Sequence, residues 1–360
     1  MAVSRYFLGA NSPAGFYSLY DELIPREGAK AVYILKGGPG CGKSTLLRTV
    51  GNRAEAQGLD VQYILCSGDP DSLDGVVLPQ LGVAVVDGTA PHIIEPACPG
   101  AVDRYLDLGR HYDFAALAPR REAISACMAE NSACYRRCYR CLAAAGTLEQ
   151  NTRELLLSPE LTARLQKRAR GILSRELKQD GGEEGRILRR FLSAVTCLGE
   201  LTLWDTVTAN CSRVYELQDS FSLAHEMLPL MADAFAARGY DAVLCPHPMC
   251  TDRMAHLLVP ALSLAFVTST AEQICPARPY RRLHLDALVT GSEGWKDLRA
   301  RVRFSHRVAL SLKEEALQAL RDAKNAHDRL ESLYNPYVDF DGVRQDADAL
   351  AARLGLTANP

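Results

Sequence analysis

Apolar positions in the early part of the chain come in short blocks separated by polar, glycine-containing turns. Ala31 to Lys36 is rich in β-forming residues and predicts a buried strand. Lys43 to Gln57 places apolar residues at helical spacing and stops at Gly58, a residue suited to ending a helix. Asp60 to Leu65 and Gly82 to Val86 read as further strands, with Arg5 to Gly9 as another candidate. Strands alternating with helices predict parallel βαβ units. From about Ala115 to Lys178 the texture changes to long helical stretches rich in Ala, Leu, Arg and Glu. A similar stretch runs from about Lys296 to Leu333.

The order of these blocks repeats. Val32-Tyr33-Ile34-Leu35 falls on Val214-Tyr215-Glu216-Leu217, and Leu59 to Val86 falls without a gap on Tyr240 to Val267. That second match pairs Asp71 with Asp252, Pro79 with Pro260 and Ala84 with Ala265. Upstream, Phe7-Leu8, Gly15 and Leu19-Tyr20-Asp21 fall on Phe191-Leu192, Gly199 and Leu203-Trp204-Asp205. Such a register predicts a tandem duplication, joined in the polar glycine-rich segment Gln179-Asp180-Gly181-Gly182-Glu183-Glu184-Gly185. Each half is then a small α/β core carrying a helical hairpin arm. With so few strands per half, the two copies either share one sheet or pack as a pseudo-dimer.

Gly37-Gly38-Pro39-Gly40-Cys41-Gly42-Lys43-Ser44, followed by Thr45, fits G-x-x-x-x-G-K-[ST], the Walker A pattern, between the strand and the helix that it requires. Glycines let backbone N–H groups turn inward toward phosphate oxygens, and the helix adds the positive end of its dipole. Lys43 is expected to reach the β- and γ-phosphates, and the Ser44 hydroxyl to ligate Mg²⁺. Gly82-Val83-Ala84-Val85-Val86-Asp87 supplies a carboxylate at the carboxyl end of a neighbouring strand, so Asp87 is the expected second holder of Mg²⁺. Gly88, not a glutamate, follows it, which argues against a fast motor. The expected fold is therefore α/β: P-loop NTPase-like parallel sheet units, tandemly duplicated, each with a helical hairpin arm. Residues 1–180 form the P-loop domain and 186–360 a degenerate repeat.

Cys66 to Gly75 reads as an acidic loop at the same sheet edge. Asp69 and Asp74 are candidate bases or water-orienting groups, Asp71 less so because its counterpart Asp252 is kept. Turn and capping chemistry would call for the same residue types. His92 is a candidate γ-phosphate sensor or a structural hydrogen-bonder. In the second half Asp219 to Glu226 stands where Gly37 to Ser44 stands, Thr268 replaces Asp87 and Gln273 replaces His92. Phe221 and Glu226 would block and repel phosphate, so one active site per chain is expected. Cys134, Cys138 and Cys141 have the spacing of an iron–sulfur motif but lie in a helical stretch, where cysteine suits a close helix–helix seam. Cys245, His247 and Cys250 are a weaker metal suggestion. Arg5 and Arg190 occupy near-equivalent positions and are conjectural arginine fingers.

Composition narrows the class. Of 360 residues 48% are hydrophobic and 23% charged, values of a globular chain rather than a disordered one. A net charge of −2 gives no basic excess for a nucleic-acid backbone. The longest strongly apolar run, Leu257 to Val267, is too short to span a bilayer, and the amino terminus has no stretch of signal-peptide length. Twelve cysteines without secretory features point to a reducing compartment, so a cytoplasmic location is expected.

The segments SRYFLGANSPAGFYSLYDELIP, YILKGGPGCGKST, LCSGDPDSLDGVVLPQLGVAVVDGTAPH and YLDLG resemble a family of bacterial duplicated P-loop ATPases, tandem repeats with helical arms. The resemblance covers nearly the whole chain and is most specific in its first 110 residues. It implies ATP binding by Gly37 to Thr45 and hydrolysis, without naming a substrate. It also implies a phosphate loop in both halves, from which Asp219 to Glu226 departs. Three functions follow for testing. One is a slow ATPase whose nucleotide state acts on its helical arms or a protein partner. A second is a small-molecule or nucleotide kinase, and a third is a nucleotide-gated scaffold without turnover.

Overall fold

In the computed structural model residues 2–25, 28–179 and 181–356 are described; Asp180 of the expected linker lies outside them. The first half comprises β1 (Val3–Phe7), β2 (Gly9–Ser12), β3 (Gly15–Ser18), β4 (Ala31–Lys36), α1 (Lys43–Ala56), β5 (Val61–Leu65), β6 (Leu73–Leu78), β7 (Val83–Asp87) and β8 (Asp103–Asp107). Helices α2 (Phe114–Leu117), α3 (Arg121–Leu156) and α4 (Pro159–Glu176) follow. The second half comprises β9 (Ile187–Arg189), β10 (Ser193–Thr196), β11 (Gly199–Thr202), α5 (Trp204–Asn210), β12 (Arg213–Gln218), α6 (Leu228–Ala236), β13 (Ala242–His247), β14 (Cys250–Val259), β15 (Leu264–Ser269) and β16 (Arg281–His284). It ends in α7 (Asp286–Thr290), α8 (Trp295–Tyr334) and α9 (Phe340–Arg353).

The strands form two six-stranded sheets of the same order, β1-β5-β6-β7-β4-β8 and β9-β13-β14-β15-β12-β16, each beside a two-stranded hairpin. Equivalent strands pair in equivalent register: Val32 opposite Ala84 corresponds to Val214 opposite Ala265, and Tyr63 opposite Val76 to Leu244 opposite Leu257. Two non-glycine residues with positive φ reinforce the match. Ser222 (φ 55) stands where Gly40 (φ 69) stands, and Ser263 (φ 50) where Gly82 (φ 64) stands. The backbone shape survives even where the residue best suited to it has been replaced.

The sheets are mixed rather than parallel, which corrects the expectation from strand and helix alternation. β6 runs antiparallel to both β5 and β7, and β14 likewise opposes β13 and β15. The Cys66–Ser72 turn sends the chain straight back along β5, with no crossover helix between them. Asp74 and Gly75, poor strand formers, interrupt the apolar signal of β6.

The halves pack as a pseudo-dimer with separate sheets. Phe7 and Phe191, equivalent residues, exchange backbone hydrogen bonds of 2.9 Å in each direction. Helical pairing also forms between halves instead of as a hairpin inside each. α3 and α8 lie along one another, burying Cys138, Leu142 and Ala145 against Ala316, Ala319 and Leu320. Past them the chain crosses over: α4 packs Leu161, Leu165 and Ile172 on the second-half core beside α6, whereas α9 packs on α1. No helix among the described residues is long and apolar enough to cross a membrane.

Candidate functional site

β4 is buried along nearly its whole length between β7 and β8, so its carboxyl end is a rigid launching point for the glycine loop. The loop turns through Gly40 and Gly42, both in the left-handed region, and α1 begins at Lys43. The Lys43 ammonium folds back into the loop, donating to the carbonyl oxygens of Gly37 and Gly38 at 2.8 Å each. It also lies 3.6 Å from Asp87 Oδ2. Asp87 reaches that position because β7 pairs with β4 in parallel and Leu35 stands opposite it. Its other oxygen accepts from Thr89 N at 2.8 Å and Thr89 Oγ1 at 2.6 Å. Ser44 Oγ accepts from Leu73 N at 3.0 Å, and Thr45 is exposed at the start of α1. Gly37 to Thr45 and Asp87 are thus brought together in the wall of one cavity of about 1220 Å³.

That cavity is roofed by both halves. Asn131, Tyr135 and Arg136 come from α3, and Lys324, His327 and Glu331 from α8. Asn335, just past α8, lies against Gly40. Asp69 lines the wall, accepts from Ser72 Oγ at 3.2 Å and faces Lys324 Nζ at 3.5 Å. Asp71 is exposed and lies outside the cavity lining; its backbone is engaged, its carbonyl accepting from Arg48 and its N–H donating to Asp69 Oδ1 at 3.3 Å. Asp74 belongs to β6 rather than to the loop in which it was expected. It is 5% exposed, accepts from Tyr20 OH at 2.9 Å and lies 3.2 Å from His92 Nε2. Burial holds its carboxyl above the usual range, with His92 opposing that shift and Asp87 adding to it.

His92 is buried between the rings of Phe16 and Tyr20, and its Nδ1 has no hydrogen-bond partner. Cys66, which lines the cavity beside Asp74 and His92, and Tyr20, which packs behind them, are residues that sequence reasoning missed. A tyrosine in an apolar block and a cysteine ending a strand carry no local sign of what they face.

In the second half the equivalent loop is filled from within. Asp219, at the position of Gly37, turns its carboxylate into the loop and accepts from Ala224 N at 2.7 Å, Leu223 N at 2.8 Å and Phe221 N at 3.2 Å. Burial pushes this carboxyl up to about 6 despite those three donors. Glu226 pairs with Arg253 at 2.8 Å, and His225 Nδ1 accepts from Met254 N at 3.1 Å. Phe221 and Glu226 had been singled out as the obstacles, yet Asp219 is the residue that satisfies the loop's N–H groups.

The remaining candidates separate from the site. Cys134, Cys138 and Cys141 lie along continuous α3, Cys138 buried against α8, and among the described residues they do not converge on a shared ion position. The same holds for Cys245, His247 and Cys250. Arg190 is no arginine finger: it is 2% exposed and donates to the backbone carbonyls of Glu22, Leu23 and Arg189. Arg5 lies on β1, the edge strand farthest from β4 in its sheet, and does not line the cavity. No known protein family, curated protein or solved structure matches this chain.

Proposed function

We propose that the chain is an ATP-binding P-loop NTPase, a slow ATPase with one active site. The observation that carries this reading is the Lys43 ammonium, poised between the loop carbonyls and Asp87 inside a cavity that both halves enclose. Inward-turned N–H groups and Lys43 would neutralise the β- and γ-phosphates, moving Lys43 from carbonyl partners to phosphate oxygens. Ser44 and Asp87 offer hydroxyl and carboxylate oxygens, the donor type that Mg²⁺ takes. Bound Mg²⁺ would supply charge neutralisation across the transferring phosphoryl group. Asn335 against Gly40 ties the loop to α8, so nucleotide state would act on the long helices directly. Gly88, following Asp87, offers no side chain to activate water, in keeping with slow turnover.

One observation favours a second reading, a small-molecule kinase. The cavity exceeds the range of about 300–1,000 Å³ common for one ligand, and Arg48, Arg136 and Lys324 line it in addition to the loop residues. An anionic acceptor would suit those groups, with Asp69 or Asp74 as base. Incubating the purified chain with Mg²⁺ and ATP separates the readings. Phosphate release that disappears in Lys43→Ala supports the ATPase. Turnover only with an added acceptor supports the kinase, and tight binding without turnover would leave a nucleotide-gated scaffold. Undiminished ATP affinity in Lys43→Ala would sink all of them.

A further inference from the structure

Three side chains from successive strands meet on the cavity floor. Cys66 ends the β5 excursion, Asp74 lies on β6, and His92 follows β7. β6 sits between β5 and β7, so the sheet order brings the three together although the chain separates them. Their ligand atoms all lie within 4.8 Å of one another, and they are the one group of three or more such residues among those described. We propose that Cys66, Asp74 and His92 form a binding site for a soft divalent cation, Zn²⁺ in the first instance.

Thiolate, imidazole and carboxylate are a donor set that Zn²⁺ accepts and that Mg²⁺ does not. Three protein ligands leave a fourth position, toward the cavity that all three residues line. The surroundings orient each ligand. Tyr20 OH donates to the Asp74 carboxylate, and the backbone N–H groups of Gly68 and Asp69 turn toward the Cys66 sulfur. Outer contacts of this kind fix ligand geometry and charge in metal centres. The charge of a bound cation would favour the deprotonated, ligating form of both Cys66 and Asp74.

The second half provides an internal control. His247, Ala255 and Gln273 occupy the positions of Cys66, Asp74 and His92, and Trp204 that of Tyr20. Ala255 has no ligand atom, and Trp204 cannot repeat the Tyr20 hydrogen bond. The triangle, its outer hydroxyl and the open phosphate loop are therefore all absent from the same copy, whose sheet is otherwise preserved. Shared loss from one copy points to shared use in the other. On the ATP-binding reading above, such an ion would polarise a water or acceptor hydroxyl beside the phosphates. Ion binding itself does not depend on that reading.

The test uses the full chain, stripped with a chelator, dialysed, and titrated with Co²⁺ and with Zn²⁺ in the absence of nucleotide. The expected result is one ion per chain and a sulfur-to-cobalt charge-transfer band. Both should be lost in Cys66→Ser and in Asp74→Asn and kept in Cys138→Ala. Tyr20→Phe, which retains all three ligands, should bind about 10–100-fold more weakly. No stoichiometric ion in the unmodified chain would overturn the proposal, as would binding that persists in both ligand variants. ATP affinity measured on the same samples reports folding. A chain that binds ATP but no ion refutes the metal site alone, and one that binds the ion but no ATP refutes the nucleotide reading alone.

Discussion

Gly37 and Asp219 mark the chemical difference between the two copies. With no side chain at 37, the first loop has no internal carboxylate at this position; with Asp219 in that place, the second loop carries its own. The arrangement has a signature in pH. An aspartate whose folded value lies above its unfolded one holds its proton more tightly when folded. Its contribution to stability is therefore complete below the ordinary value of 3.8 and is lost as pH rises through about 6. The change amounts to roughly 3 kcal/mol. Chemical unfolding of the wild type and Asp219→Asn across that window checks it. The wild type should lose stability relative to the variant as pH rises, and a pH-independent difference would show that Asp219 is not buried as described.

At the level of elements, the loop, its flanking strand and helix, and the duplicated order were legible because each has a local cause. Apolar runs, a glycine that stops a helix and a fixed motif all act within a few residues. β6 was not legible, since Asp74 and Gly75 broke its apolar run and the preceding turn residues extended the apparent loop. The exchange of α4 and α9 between halves was hidden for another reason. An amphipathic helix shows which face it will bury but not which of two equivalent cores it will cover. The α3–α8 seam shows what the cysteine spacing means: small residues let two long helices approach. Ala316 is fully buried there, so Ala316→Leu should cost about 1–3 kcal/mol by overpacking. Thermal unfolding measures it, and an unchanged midpoint would mean that the seam is looser than its residues imply.

For the molecule as a whole, duplication and asymmetry belong together. The second copy supplies α8, and with it Lys324, Glu331 and the approach of Asn335 to Gly40, to a cavity whose glycine loop, Lys43 and Asp87 all come from the first. It acts as part of the enclosure, and its own loop is closed by Asp219. Near-neutral net charge fits the proposed function, in which affinity for an anionic ligand would be concentrated in one loop and not spread over a face. Equilibrium titration of the full chain with a non-hydrolysable ATP analogue and Mg²⁺ counts the sites. One nucleotide should bind per chain, abolished by Lys43→Ala and unaffected by His225→Ala, the substitution at the equivalent position of the second loop. Two nucleotides per chain, or one that survives Lys43→Ala, would contradict a single site built on the first loop.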